Sequence, residues 1–273
     1  MSEVTRLKNG SVHGRVRARD GGHAESVSVL GVRIVNCSRD DAIALVERLV
    51  TGRQRAAQAL FIVNAHTLNL AAQDTAYLDI LNSALAVFGD GTGVRWASRV
   101  RGVRMRDNLV GTDLIPALFE ATAGRGYRYF LLGADAASIA RAAEACQVAS
   151  PGWALAGYHH GYVDEGNVRQ VVQAINSAHA DLLLVGMGNP RQERWIHDHL
   201  RDLDVRVCIG VGGLFDHWAG NLHRAPSWIR RQGFEWLHIL FQQPHKWRRY
   251  VVGNPLFVFR MLAALPGDRA TCR

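Results

Sequence analysis

The chain has 273 residues, a net charge of +8, four cysteines and no low-complexity tract, enough for a substantial core in one large domain or two small ones. No apolar run approaches the ~20 residues of a membrane span, and the polar N-terminus lacks the apolar stretch of a secretory leader. Cys37, Cys146, Cys208 and Cys272 lie far apart with no CxxC spacing, which argues against a thiolate metal site and leaves Cys146 and Cys208, in apolar contexts, as buried thiols.

The positive charge gathers at the ends. Arg6, Lys8, Arg15, Arg17 and Arg19 open the chain, and Arg224, Arg230, Arg231, Lys246, Arg248, Arg249, Arg260, Arg269 and Arg273 crowd its close. Basic ends point to nucleic acid, an anionic membrane surface or a phosphate-rich substrate, or else to a solvated basic face.

In chain order, residues 1–26 read as a flexible basic segment. A strand or hairpin follows over 27–35. Ser38 caps a helix reaching about residue 50, with Asp40 and Asp41 in its first turn. A strand over 59–63 ends at Asn64, and helical pattern over 66–83 comes in one or two pieces. A short strand over 85–88 ends in Gly89-Asp90-Gly91, followed by helices over 94–100 and 113–123. Alternation resumes with a strand over 128–132 ending in Gly133, a helix over 136–149, a strand over 153–156 and a helix over 165–178. The run Asp181-Leu-Leu-Leu-Val-Gly-Met-Gly-Asn-Pro-Arg-Gln-Glu reads as a buried strand, a glycine turn and a helix with Pro190 in its first turn. A last strand over 205–211 ends in Gly212-Gly213. Such alternation predicts an α/β fold, a Rossmann-like parallel sheet with helices on both faces. Its ligands bind at the carboxyl ends of the strands, where Asn64, Asp90, Gly133, Tyr162, Gly188 and Gly213 all fall. The core spans 27–225 and a basic helical appendage 226–273. In the appendage a helix over 228–242 is broken by Pro244, a short basic helix follows over 246–252, and Pro255 breaks the chain again before an apolar helix over 256–265.

Asp90 sits between glycines at a strand end, which suits a general base that takes a proton from a hydroxyl and equally suits an Asp capping the helix beyond it. A strand ending in glycines under a helix N-terminus is an anion site, and Arg191, Gln192 and Glu193 lie within reach of a phosphate there. GxG at Gly91 and Gly93 is a weak nucleotide signal. No GxGxxG follows an early strand and no GxxxxGK[ST] occurs, which disfavours a dehydrogenase or a P-loop ATPase. His159 and His160 point apart on an extended chain, so no metal site is expected. No Asp-x-Asp is present to hold a divalent ion against a pyrophosphate; helix N-termini, Arg or Lys would have to neutralise one.

Taken together, Asn64-Ala65-His66, Asp90-Gly91-x-Gly93, Gly111-Thr112-Asp113-Leu114, Phe130-Leu-Leu-Gly133, Gly161-Tyr162, Val185 through Glu193, Gly210 through Asp216, Gly220-x-x-x-Arg224-Ala225-Pro226 and Glu235-Trp236-Leu237 resemble the WecG/TagA/CpsF glycosyltransferase family, exopolysaccharide-type branch, over about residues 28–252. The resemblance implies an inverting, metal-independent hexosyltransferase with no cofactor. It would work at the inner face of the cell membrane, moving a hexose from a UDP-sugar to an undecaprenyl-diphosphate-linked sugar. It implies Asp90 as catalytic base, with His66 facing the sugar or handling a second proton. Asn64 would lie beside the sugar, Gln192 near the donor diphosphate, and Tyr162 and Asp216 near the uracil. Asn108, Asp113, Gly133 and Gly188 complete the substrate-binding set, while Lys246 and Arg249 come from an appendage that closes the site and touches the anionic membrane. Relatives suggest self-association, and nucleic acid is not among the implied partners. Departures from the pattern fall at Ile62, His66, Asn108 and Ile239, and they favour UDP-glucose over UDP-N-acetylmannosamine. The competing readings are a basic nucleic-acid-binding α/β protein and a soluble nucleotide-sugar enzyme. A lipid-binding tail further predicts that removing residues from Val252 onward leaves a folded protein that no longer sediments with vesicles.

Overall fold

A β-hairpin opens the described chain. β1 (Ser26–Val29) and β2 (Val32–Val35) pair antiparallel through a turn in which Leu30 and Gly31 both have positive φ, the backbone that matches strand twist in a two-residue hairpin. The computed structural model describes residues 25–53, 56–232 and 235–264, so the expected flexible segment lies almost wholly outside the described residues, as does Cys272.

Six further strands form one sheet: β3 (Gln58–Val63), β4 (Ala86–Gly89), β5 (Arg128–Gly133), β6 (Ala154–His159), β7 (Leu182–Gly186) and β8 (Val207–Gly210). Their order is β4-β3-β8-β7-β5-β6, and every pairing is parallel. The strands are apolar at nearly every position because both faces are covered. Ala59, Phe61 and Val63 point into a cluster under α2 (Ala65–Ala71), α3 (Thr75–Ser83), α4 (Gly91–Val100), α7 (Val168–Ser177) and α8 (Arg191–His199). Leu60 and Ile62 point the opposite way, under α1 (Arg39–Thr51), α5 (Gly111–Ala121), α6 (Ala136–Ala149) and α9 (Leu214–Trp218). The expected Rossmann-like α/β core is therefore present.

Local chemistry fixes the element ends. Ser38 and Asp41 form a reciprocal capping box on α1. β6 runs further than the expected 153–156 because Gly157 lies flat on the Phe130 ring, where a Cβ would come within 2.7 Å of it, and the register shifts there. Helix α4 starts directly after Asp90 rather than at 94. Pro190 is not inside the helix as expected. The Asn189–Pro190 peptide is cis and α8 begins one residue later.

The appendage also departs from its sequence pattern. The helix expected over 228–242 occurs as α10 (Ser227–Gln232) and α11 (Glu235–Gln242). A 3₁₀ turn (Pro244–Lys246) and a π turn (Arg248–Val252) lead directly into α12 (Gly253–Ala263). Pro255 does not break the chain, because it occupies the first turn of α12, where a helix N–H has no intrahelical acceptor to lose. Phe257 and Met261 of α12 are buried in the same cluster as α2 and α4. The tail is thus not dispensable: cutting at Val252 would strip two core side chains, each worth about 2–5 kcal/mol on truncation. No helix among the described residues is long and apolar enough to cross a membrane.

Candidate functional site

Because all six strands run parallel, their carboxyl ends share one edge. At several places on that edge neighbouring strands send the chain to opposite faces, as two examples show. β3 leads to α2 and β8 to α9; β5 leads to α6 and β7 to α8. Such divergence opens a crevice.

Asp90 stands at the β4 end of this edge. Its backbone N–H donates to Val63 O at 2.8 Å, and Gly91, with φ of 89°, turns the chain into α4. The Gly91 N–H donates to Asn108 Oδ1 at 2.6 Å, so Asn108 fixes the turn that carries Asp90. Asp90 occupies the N-cap position of α4, but its carboxylate makes no capping hydrogen bond. Burial, with Glu235 and Asp113 adding to it against Arg249 and Arg224, pushes the carboxyl up to about 7. A carboxyl poised there exchanges a proton near neutral pH.

The next strand carries Asn64, whose Oδ1 accepts from the His66 and Thr67 N–H groups. That leaves its amide NH₂ end for a ligand. Burial, and then the charges of Arg249 and Lys246, lower His66 to about 4. The ring is therefore neutral, a hydrogen-bonding group and a weak base. Ile62, expected near the sugar, is buried beneath Gly111 instead.

The appendage brings the cations. Arg249 lies over the Tyr250 ring with its guanidinium carbon 5.4 Å from the ring centre, and its buried Nε has no hydrogen-bond partner. Burial and the Arg249 charge lower Lys246, opposed by Asp216. Two crowded cations, one with an unsatisfied buried donor, suit an anionic ligand. Arg224, from the loop after α9, anchors this lid. It pairs with Asp113 through two bonds of 2.9 and 3.0 Å, contacts Thr112, and its Nε lies 3.1 Å from Glu235 Oε1. Asp113, expected to bind substrate, is thus held by Arg224. His223 and Gln242 exchange two further bonds between core and lid.

In the middle of the edge, glycines allow backbone to pack on backbone. A Cβ on Gly133 would fall 2.3 Å from Gly186 O, and one on Gly161 only 3.0 Å from Gly133 Cα. The chain leaving β6 therefore folds back over the end of β5, and Tyr162, whose ring is exposed, follows there, towards the opposite end of the edge from β4. Gly188 has φ of 79° with open space around it. Gln192, expected to touch a diphosphate, is buried. Its Oε1 accepts from Gly212 N–H at 3.0 Å and its Nε2 donates to Glu193 at 2.7 Å. It shapes the Gly212 turn from behind. Glu193 is likewise buried, and Arg191 donates to Val163 O.

The structure therefore gathers Asn64, His66, Asp90, Asn108, Lys246 and Arg249 around one end of the crevice, with Asp216 facing Lys246. Gly133, Asp113 and Gln192 also make contacts within the protein, to Gly186, Arg224 and Gly212 respectively. Arg224, Glu235 and Tyr250 were not expected as site residues, although Arg224-Ala-Pro and Glu235-Trp-Leu stand out in the sequence. A cleft of about 540 Å³, lined in part by Arg39, Asp107, Asn108, Thr112, Asp113 and Glu120, adjoins Asn108. Among the described residues, no three His, Cys, Asp or Glu side chains gather so as to hold a metal ion.

The chain is 33% identical over 196 residues, 72% of its length and 76% of the relative's, to an N-acetylglucosaminyldiphosphoundecaprenol N-acetyl-beta-D-mannosaminyltransferase of Bacillus subtilis (strain 168). It is 34% identical over 203 residues to the Bacillus spizizenii protein of the same name, covering 74% of this chain and 77% of that one. It is 31% identical over 243 residues to the Staphylococcus aureus (strain MW2) counterpart, covering 87% and 92%. The sequence profile described as Glycosyl transferase WecG/TagA/CpsF family matches residues 27–270. With that match spanning the sheet, the crevice and the lid alike, the chain belongs to the WecG/TagA/CpsF glycosyltransferase family.

Proposed function

We propose that this glycosyltransferase moves a hexosyl group from a UDP-sugar to a sugar carried on a polyprenyl diphosphate, with inversion and without a metal. The observation that carries the reading is the pairing of a carboxyl poised near neutrality, Asp90, with the nearby charge of Arg249, whose buried Nε has no hydrogen-bond partner. Asp90 accepts the proton of the acceptor hydroxyl as that oxygen attacks the anomeric carbon. The bond from that carbon to the phosphate oxygen breaks, and UDP leaves with the electron pair. Arg249 and Lys246 stabilise the growing charge on the diphosphate. Tyr162 offers a ring for the uracil, and Asp216 lies between that region and Lys246.

The relatives' names favour an N-acetylmannosaminyl donor and an N-acetylglucosaminyl-diphosphoundecaprenol acceptor. Glucose rests on the neutral His66 and on Asn108, since a changed buried polar contact alters sugar choice strongly. Transfer of radiolabelled sugar from a panel of UDP-sugars to a polyprenyl-diphosphate-linked acceptor decides between them. Absence of transfer from every donor would overturn the reading. Because Arg249 acts on Asp90 and Lys246 on Asp216 and His66, inside the crevice, nucleic-acid binding gains no support.

The same reading places the protein on the inner membrane face. Trp247, Val251, Val252, Phe259 and Leu262 are exposed beside exposed Arg248, the mixture an interfacial helix uses. Replacing Phe259 and Leu262 together by Ser should leave the melting temperature within a few degrees and abolish sedimentation with anionic vesicles. Undiminished sedimentation would assign that face a different role.

A further inference from the structure

Helix α2 presents two polar side chains to the appendage. His66 and Asn69 are three residues apart and share a face. His66 feels the charges of Arg249 and Lys246. Asn69, one turn on, is buried and is used at both ends of its amide. Its Nδ2 donates to Gly253 O at 2.7 Å, and its Oδ1 accepts from Arg260 Nη1 at 3.0 Å. Arg260 also donates to Asn69 O at 2.8 Å, a carbonyl in the last turn of α2, where a cation is favoured.

Gly253 is the joint of the lid. It ends the π turn that carries Arg249 and Tyr250, and it begins α12. Beyond it, Phe257 packs against Gly93 of α4: a Cβ there would meet Ala65 at 3.1 Å and the Phe257 ring at 3.5 Å. The two helices that begin beside Asn64 and Asp90 are therefore the two on which α12 docks.

We infer that Asn69 is a positioning residue for transfer: its paired bonds to Gly253 and Arg260 set the register of α12 on α2 and so hold Arg249 over the crevice. Apolar packing of Phe257 and Met261 brings α12 to the surface but does not fix its rotation or slide to within an ångström. Two directional hydrogen bonds from one amide do. The inference rests on the proposed transfer reaction for its effect on catalysis, but not for its effect on the lid.

The test uses the full chain and compares Asn69→Leu, Arg260→Gln and Arg249→Ala with the double variant Asn69→Leu/Arg249→Ala. Amide hydrogen exchange over residues 246–252 should quicken at least tenfold in Asn69→Leu and, to a smaller degree, in Arg260→Gln. UDP, used as the probe in calorimetry, should bind about tenfold more weakly to Asn69→Leu. In the Arg249→Ala background the same substitution should change UDP affinity less than twofold, which a merely destabilised fold would not produce. Unchanged exchange over 246–252 in either single variant overturns the inference, and so do additive effects in the double variant. If Asn69→Leu does not fold, Arg260→Gln alone carries the exchange and affinity test. If the wild-type chain binds no UDP, the transfer reading fails, while exchange still decides the latch.

Discussion

Asp90→Asn should lower kcat/KM for sugar transfer by about 10²- to 10⁴-fold, the range for losing a positioned general base, and should at the same time make the protein more stable. Both follow from one geometry. The carboxylate of Asp90 makes no capping bond to α4, so removing its charge deprives the helix of nothing. Its carboxyl is pushed up to about 7 by burial and by Glu235. A folded-state value above the unfolded one contributes stability at low pH, and that contribution disappears as pH rises through 7. The amide of the variant has no such proton to lose, so at pH 8 the variant should gain about 1 kcal/mol over wild type, discounted from full linkage because the crevice admits water. For a chain of this size that raises Tm by about 2–4 °C. Below about pH 4, where the carboxyl is protonated in the folded and the unfolded chain alike, the two proteins should melt together, and the gap should open progressively from there to pH 7. The wild-type kcat/KM should rise tenfold per pH unit below about 7 and level off above it. A variant with full activity removes Asp90 as base. A variant that loses activity and also melts lower at pH 8 favours the capping role instead.

The sheet was legible because hydrophobic runs bounded by glycines carry the parallel α/β pattern almost without exception. The residues at strand ends follow from it, since parallel strands must deliver their carboxyl ends to one edge. Asp90, Asn64 and His66 were therefore within reach of sequence reasoning. Which side of the wall a residue occupies was not. Gln192 and Glu193 look like crevice residues in a helix first turn, but α8 begins only after Pro190, and both face inward. Nothing in the pattern around Asp113 announces its ion pair with Arg224, 111 residues away in sequence. Pro255 reads as a break because propensity is local, whereas tertiary docking of Phe257 and Met261 carries α12 through it. Long-range partners of this kind leave no periodic trace in one sequence.

Glu193 is where the turn at the heart of the sequence pattern is most vulnerable. Its Oε1 accepts from Asn189 Nδ2 at 2.5 Å and from Gln192 Nε2 at 2.7 Å, and its Oε2 accepts from the Tyr77 hydroxyl at 2.9 Å. Burial raises its carboxyl against the pull of those three donors. Through Gln192 the network reaches the Gly212 N–H. Through Asn189 it reaches the loop that follows Gly188, and through Tyr77 it reaches α3. Glu193→Ala would leave two buried donors and the half-buried Asn189 amide without an acceptor, each buried one costing about 1–3 kcal/mol, and should destabilise the protein by about 3 kcal/mol. Glu193→Gln should cost about 1–2 kcal/mol. Its carbonyl can take the two amide donors while its NH₂ donates to the Tyr77 oxygen, so only the Tyr77 hydroxyl proton loses its acceptor. Urea unfolding of the pair checks this, with the slope expected to stay constant and only the midpoint to move. Equal losses in both variants would mean that the negative charge of Glu193, rather than its acceptor geometry, holds the turn. If neither variant loses stability, the network does not bear on stability at all. Because Gln192 shapes the Gly212 turn, surviving Glu193→Ala protein should also bind UDP more weakly than Glu193→Gln.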